Sequence, residues 1–234
     1  MVLSSLGVPL KELKDIKENR SPESIITLIE KQEQLLDQKM RKLMNNYALI
    51  HTRLKLINYG LKVKDGFKVI DGQRVDTDNP DGTNFDETMV TVLYRDEFAF
   101  IAGPRNHFVP GESFYQPFVN FCNHANELRM NLDFPIGGFQ DSFEAFLKAP
   151  GEPDYFFSLD PEGNQKMPAG EYLVAFHRGY YGDFGDLPER MTNYAKDHGL
   201  TLTGRVYAIY LHDEICINQP DQFLVQVCVA VTKP

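Results

Sequence analysis

Between Ser21 and Gly60 apolar residues recur on a seven-residue frame. Ile26, Met40, Tyr47 and Leu54 fall at its a positions, and Ile29, Leu36, Leu43, Ile50 and Ile57 at its d positions; Glu33, at an a position, interrupts the seam. A heptad pattern kept over this length predicts one unbroken helix that supercoils with a partner. Ser21-Pro22-Glu23-Ser24 supplies a hydroxyl cap, a proline in the first turn and an early acid, and Gly60 supplies the stop. At about 1.5 Å per residue such a helix is roughly 60 Å long, more than a small domain covers. The pattern therefore predicts a dimerisation rod paired through Ile29, Leu36, Met40, Leu43, Tyr47, Ile50, Leu54 and Ile57.

Beyond the rod the period changes. Residues 61–96 carry Gly66, Gly72, Pro80 and Gly82 among many Asp and Asn, a loop composition. Phe67–Ile70 and Thr88–Tyr94 read as an opening strand pair. From Phe98 to Val231 one order of elements occurs twice. The first copy has a strand at 98–102, a helix at 113–130 and strands at 134–138 and 154–158. The second has a strand at 171–177, a helix at 185–197 and strands at 204–211 and 222–231. Phe143–Leu147 reads as a short helix between them. A duplicated β-α-β-β unit predicts one antiparallel sheet with helices on one face and an aromatic-rich cleft where the exposed concave face meets the pseudo-twofold axis. The fold class is α+β.

Charge and cysteines narrow the partners. The 234 residues carry a net charge of −9, against nucleic-acid binding over the whole surface, which needs clustered Lys and Arg. Cys122, Cys216 and Cys228 sit among apolar neighbours without metal-ligand spacing, so buried thiols are expected, with no metal and no cofactor. The absence of a signal peptide or a membrane-length apolar run gives a cytoplasmic expectation.

Residues 2–20 read as two short helices around a Gly-Val-Pro turn, too small to bury a core. Leu6-Gly7-Val8-Pro9-Leu10-Lys11-Glu12-Leu13-Lys14 followed by the rod resembles the MerR family of transcription regulators. Pro168–Tyr181, with its strand running into His177-Arg178-Gly179-Tyr180, resembles the GyrI-like effector-binding domain; Val206–Tyr210 and Leu224–Val229 match its last two strands. The resemblance implies residues 1–20 as the end of a DNA-binding domain, 21–60 as an antiparallel coiled-coil dimerisation helix, and 61–234 as the effector-binding domain. It also implies a homodimer and a small aromatic or hydrophobic effector, with DNA a partner only through a helix-turn-helix absent from this sequence.

Two positions depart from the family pattern: Ala208 and Gln226 stand where it has glutamates. Without those carboxylates the expected effector is neutral or hydrogen-bonding rather than strongly cationic. Strand parity groups Val206, Ala208 and Tyr210 on one face, and the family pattern turns that face, with Gln226, towards the cleft. Tyr180 and Phe118 are further candidates for its border. His177 stands before a glycine turn and a helix N-terminus that could hold an anion or carbonyl. His212-Asp213-Glu214 reads as a solvated loop. The alternative function is a small hydrolase of the GyrI-like fold working through Tyr210 or His177, though no Ser or Cys nucleophile has matching spacing.

Overall fold

The computed structural model describes residue 8 and residues 21–64, 68–70, 73–75, 85–86, 88–109, 115–125, 127–128 and 130–232. The helices expected within residues 2–20 therefore lie outside the described residues, as do Phe67, Ser113 and Phe114. Two compact units divide at Ile50/His51, inside the long helix.

Helix α1 is a single element, Pro22–Gly60. A reciprocal cap starts it: the Ser24 N–H donates to the Ser21 hydroxyl (3.2 Å) and the Ser21 N–H to the Ser24 hydroxyl (3.1 Å). The expected seam is exposed: Leu43 at 67%, Tyr47 at 72% and Ile50 at 60%. Leu28 and Gln32, one turn apart on a different face, are buried.

In the second unit the ending of α1 has a steric cause. A Cβ on Gly60 would lie 2.5 Å from Nε2 of His212, so glycine is what lets the helix end approach that ring. The short strands β1 (Val63–Lys64) and β4 (Phe85–Asp86) pair in parallel, and β2 (Lys68–Ile70) pairs with β3 (Gln73–Val75). The opening strand pair expected from residues 67–70 and 88–94 does not form. Residues 68–70 fold back on the strand next to them, while β5 (Val90–Arg95) joins the main sheet.

That sheet carries the duplicated unit. Copy one comprises β6 (Phe98–Arg105), α2 (Tyr115–His124), β7 (Ile136–Gln140) and β8 (Tyr155–Ser158), then a short β9 (Gln165–Met167). Helix α3 (Phe143–Lys148), capped by the Ser142 hydroxyl, lies between β7 and β8. Copy two comprises β10 (Gly170–Arg178), α4 (Leu187–Asp197), β11 (Thr201–His212) and β12 (Leu224–Thr232). The eight strands run β5-β10-β12-β11-β7-β8-β6-β9, each pair antiparallel. The six repeat strands are thus symmetric about the β11–β7 pair.

Each face has its own core. Phe146, Leu187, Met191 and the valines 225, 227 and 229 pack on the helix-bearing face. On the other face Phe100, Phe139, Phe157 and Tyr207 interlock, with ring centroids 4.9–6.3 Å apart. Tyr172, Phe176 and Cys228 continue that second layer, and Leu56 and Tyr59 of α1 pack against it.

Candidate functional site

The symmetric strand pair carries little side-chain bulk on one of its faces. Ala208 of β11 lies opposite Gly138 of β7, so two minimal side chains sit side by side on the helix-bearing face. Glycine inside a strand marks a close approach; here a Cβ on Gly138 would come 2.8 Å from Cβ of Pro153. A cavity of about 510 Å³ opens above this floor. Ile136, Phe134 and Phe156 continue the floor from copy one, and Phe118 and Cys122 of α2 form one wall. Tyr180, Tyr181, Gly182 and Phe184 form the other, with Tyr210 behind them.

A phenol network shapes that wall. The Gly182 N–H donates to the Tyr210 hydroxyl (3.0 Å), which donates to the Tyr180 carbonyl (3.3 Å). Tyr181 packs edge-on against Tyr210 at 4.6 Å and hydrogen-bonds through its hydroxyl to Glu214. Across the mouth the hydroxyls of Tyr115 and Tyr180 are hydrogen-bonded, joining the two copies. Burial holds the Tyr210 phenol well above its usual range, partly offset by the Gly182 N–H. Burial does the same at Tyr181, reinforced by the hydrogen bond to Glu214. Both phenols are therefore neutral hydrogen-bonding groups at neutral pH.

Charge enters at the end of β11. Asp213 is buried, accepts from Nη1 of Arg53 at 2.5 Å and caps its own turn through the Ile215 N–H (3.1 Å). Glu214 is exposed at the cavity border. The reading of residues 212–214 as a solvated loop is corrected accordingly: His212 and Asp213 are buried, and His212 Nε2 donates to the Ile57 carbonyl at 3.2 Å. Among the described residues no group of three or more His, Cys, Asp or Glu is arranged to hold a metal ion, and no helix is long and apolar enough to cross a membrane.

Of the sequence-derived candidates, Ala208, Tyr210, Tyr180 and Phe118 line this cavity. Gln226 does not. It lies opposite Ile209 in the β11–β12 ladder, which puts its side chain on the other face of the sheet from Ala208. There its Oε1 accepts from Arg95 Nη2 at 3.3 Å, and it is 2% exposed. Val206 shares the parity of Ala208 but is fully buried in the valine core. His177 lies against the backbone of Gly185, where a Cβ would meet its ring at 2.5 Å. The anion or carbonyl site expected near it holds the chain's own Asp183 carboxylate, which accepts from the Gly185 N–H (3.0 Å) and lies 3.8 Å from His177 Nε2.

Several lining residues were not singled out from sequence. Gly137-Gly138 within a strand was a usable signal of close approach. Gln140 follows from strand parity once β7 is placed, and Phe156 once β8 is paired with it. Arg53 gave no signal, because an arginine on a long polar helix reads as solvated.

No protein-family model matches the chain. The chain is similar to the multidrug-efflux transporter 2 regulator of Bacillus subtilis, 18% identical over 222 residues, spanning 93% of this chain and 72% of that protein. Among solved structures, EcmrR in its DNA complex aligns over 100% of this chain and 81% of its own, at 15% identity and a TM-score of 0.45. A hydrolase from Listeria innocua aligns over 62% of this chain and 92% of its own, at 14% identity and a TM-score of 0.38. The match to a regulator along most of the chain agrees with the resemblance read from its sequence.

Proposed function

We propose that this chain is the effector-sensing and dimerising portion of a MerR-type transcriptional regulator, binding a small aromatic or hydrophobic compound in the cavity over Ala208 and Gly138. The observation that carries the reading is the cavity itself: about 510 Å³, walled by Phe118, Tyr180 and Tyr181 over a floor that is bare at Ala208 and Gly138 and aromatic at Phe156. Pockets of this size and lining suit drug-sized aromatic ligands. With Arg53 and Asp213 neutralising each other, Glu214 is left as the net charge at the border. That balance favours neutral compounds and tolerates a single positive charge.

The exposed apolar seam of α1 supports pairing with a second copy. Isolated surface leucines are ordinary, but a contiguous apolar stripe marks an interface, and Met40, Leu43, Tyr47, Ile50 and Leu54 are each at least half exposed. Effector binding would then change the geometry of the paired rods, at a coupling free energy of about 1–3 kcal/mol.

The hydrolase alternative gains little. Tyr210 is held between the Gly182 N–H and the Tyr180 carbonyl, and His177 lies outside the cavity lining, beside Asp183. The test is a panel of aromatic compounds followed by tyrosine emission, which no tryptophan masks, and by melting temperature. Saturable stabilisation by several unrelated compounds, recovered unchanged, supports sensing. Product formation that disappears in Tyr210→Phe would support the hydrolase instead.

A further inference from the structure

We infer that Arg53 of the long helix is the polar anchor of the cavity, donating to a neutral acceptor group on the effector: the carbonyl of an aromatic ketone, ester or amide. The inference rests on the effector-cavity reading and adds the chemistry of the ligand's polar end.

Arg53 lies in the part of α1 that belongs to the second compact unit, and its side chain keeps 23% of its surface accessible while lining the cavity. It is the single Lys or Arg among the described lining residues. A guanidinium carries five N–H donors and no acceptor. Asp213 engages Nη1 at 2.5 Å, and among the described residues the Nη2 and Nε hydrogens have no protein acceptor. Arg53 therefore brings uncommitted N–H donors to a lining made mostly of rings, aliphatic groups and glycines, with Gln140 as its side-chain amide and Asp213 and Glu214 as its carboxylates.

The neighbouring charges select the acceptor. Asp213 already supplies the counter-ion, and Glu214 borders the same cavity. A carboxylate ligand would meet that second negative charge, and an ammonium, which has donors but no acceptor, could take no hydrogen bond from Arg53. A carbonyl oxygen accepts from Arg53 without either conflict, and its aromatic substituents lie over Ala208 and beside Tyr210. The contact joins effector and long helix directly, with no relay through the sheet.

The experiment uses the full chain and two probes of nearly one shape, benzophenone and diphenylmethane, which differ in the acceptor. Binding is followed in ¹H–¹⁵N spectra through the backbone amides of Ala208 and Tyr210 and through the side-chain Nε–H of Arg53, assigned by its loss in Arg53→Lys. Benzophenone is expected to bind about tenfold more tightly and to move the Arg53 Nε–H, which diphenylmethane leaves in place. In the double variant Arg53→Met/Asp213→Asn, which strands no charge, the two probes are expected to bind alike. Equal affinities in the unmodified chain, with the Arg53 signal unmoved, would overturn the anchor and leave the effector cavity standing. If neither probe disturbs the Ala208 and Tyr210 amides, the cavity reading itself falls, and the anchor with it.

Discussion

Ala208 and Gly138 face each other across the central strand pair, one from each copy of the repeat, and together they leave the sheet without bulk at its axis of symmetry. The cavity lies where the two copies meet, and here Ala208 adds a single methyl to its floor while the bare Cα of Gly138 lets Pro153 approach. The consequences of that pairing can be tested residue by residue.

A carboxylate placed on this floor should alter ligand choice. Ala208→Glu is expected to raise affinity for lipophilic monocations by tenfold or more, because an apolar site rewards neutralisation of a buried charge. Titration of one phosphonium compound against both proteins, by calorimetry, checks it. No gain would mean that position 208 does not face the ligand.

Gln226 provides the contrast. Gln226→Leu removes the acceptor that serves Arg95 on the opposite face, and with it a buried Nε2 that has no acceptor among the described residues, so the two effects oppose and stability should change by no more than about 1 kcal/mol. Effector affinity should stay within about twofold. Denaturant unfolding and calorimetry measure the two quantities separately.

The face of Gln226 was not legible because β12 is buried on both sides from Leu224 to Val229. A strand with apolar neighbours on both faces has no alternation to fix its register. Parity was readable on β11, where Val206, Ala208 and Tyr210 do share a face, but parity within one strand does not orient the next. The order of the repeat was legible, since its helices carry their own period and Gly or Pro residues punctuate its strands, although the first helix, expected to reach residue 130, ends at His124. Arg53 and Asp213 were invisible for another reason: their pairing joins positions 160 residues apart, and no local pattern encodes it.

That distant pair should matter for stability. Asp213→Ala leaves Arg53 partly buried without its counter-ion and removes the cap on the Ile215 N–H. A loss of about 2–3 kcal/mol is expected, reduced from the fully buried case because both side chains retain some solvent. Arg53→Met/Asp213→Asn should lose less than the single Asp213→Ala change. Urea midpoints of the three proteins decide the order.

Alkaline pH should destabilise the sheet through its buried phenols. Burial pushes Tyr172 up to about 12, with the neighbouring Cys228 and Tyr207 adding to the effect. A phenol in the unfolded chain ionises near pH 10, so between about pH 10 and 12 the folded state holds the extra proton. Stability is then full below pH 10 and falls by up to about 1.4 kcal/mol per pH unit for each such tyrosine. Melting temperatures from pH 8 to 11.5 should show the decline, made shallower by Tyr172→Phe, which keeps the ring but not the ionisation.

The exposed seam of α1 predicts its own disruption. Leu43→Lys with Ile50→Lys puts two charges on the face proposed to pair, and sedimentation at micromolar concentration should change from dimer to monomer. The folded sheet, followed by its tyrosine emission, should not change.

The most direct test compares the unmodified chain with Ala208→Leu, whose longer side chain projects from the cavity floor. A stabilising aromatic compound should bind the unmodified protein saturably with one site per chain. It should bind Ala208→Leu at least tenfold more weakly, while the melting temperature without ligand differs by only a few degrees. Equal affinity for the two proteins would contradict the assignment of this cavity as the effector site.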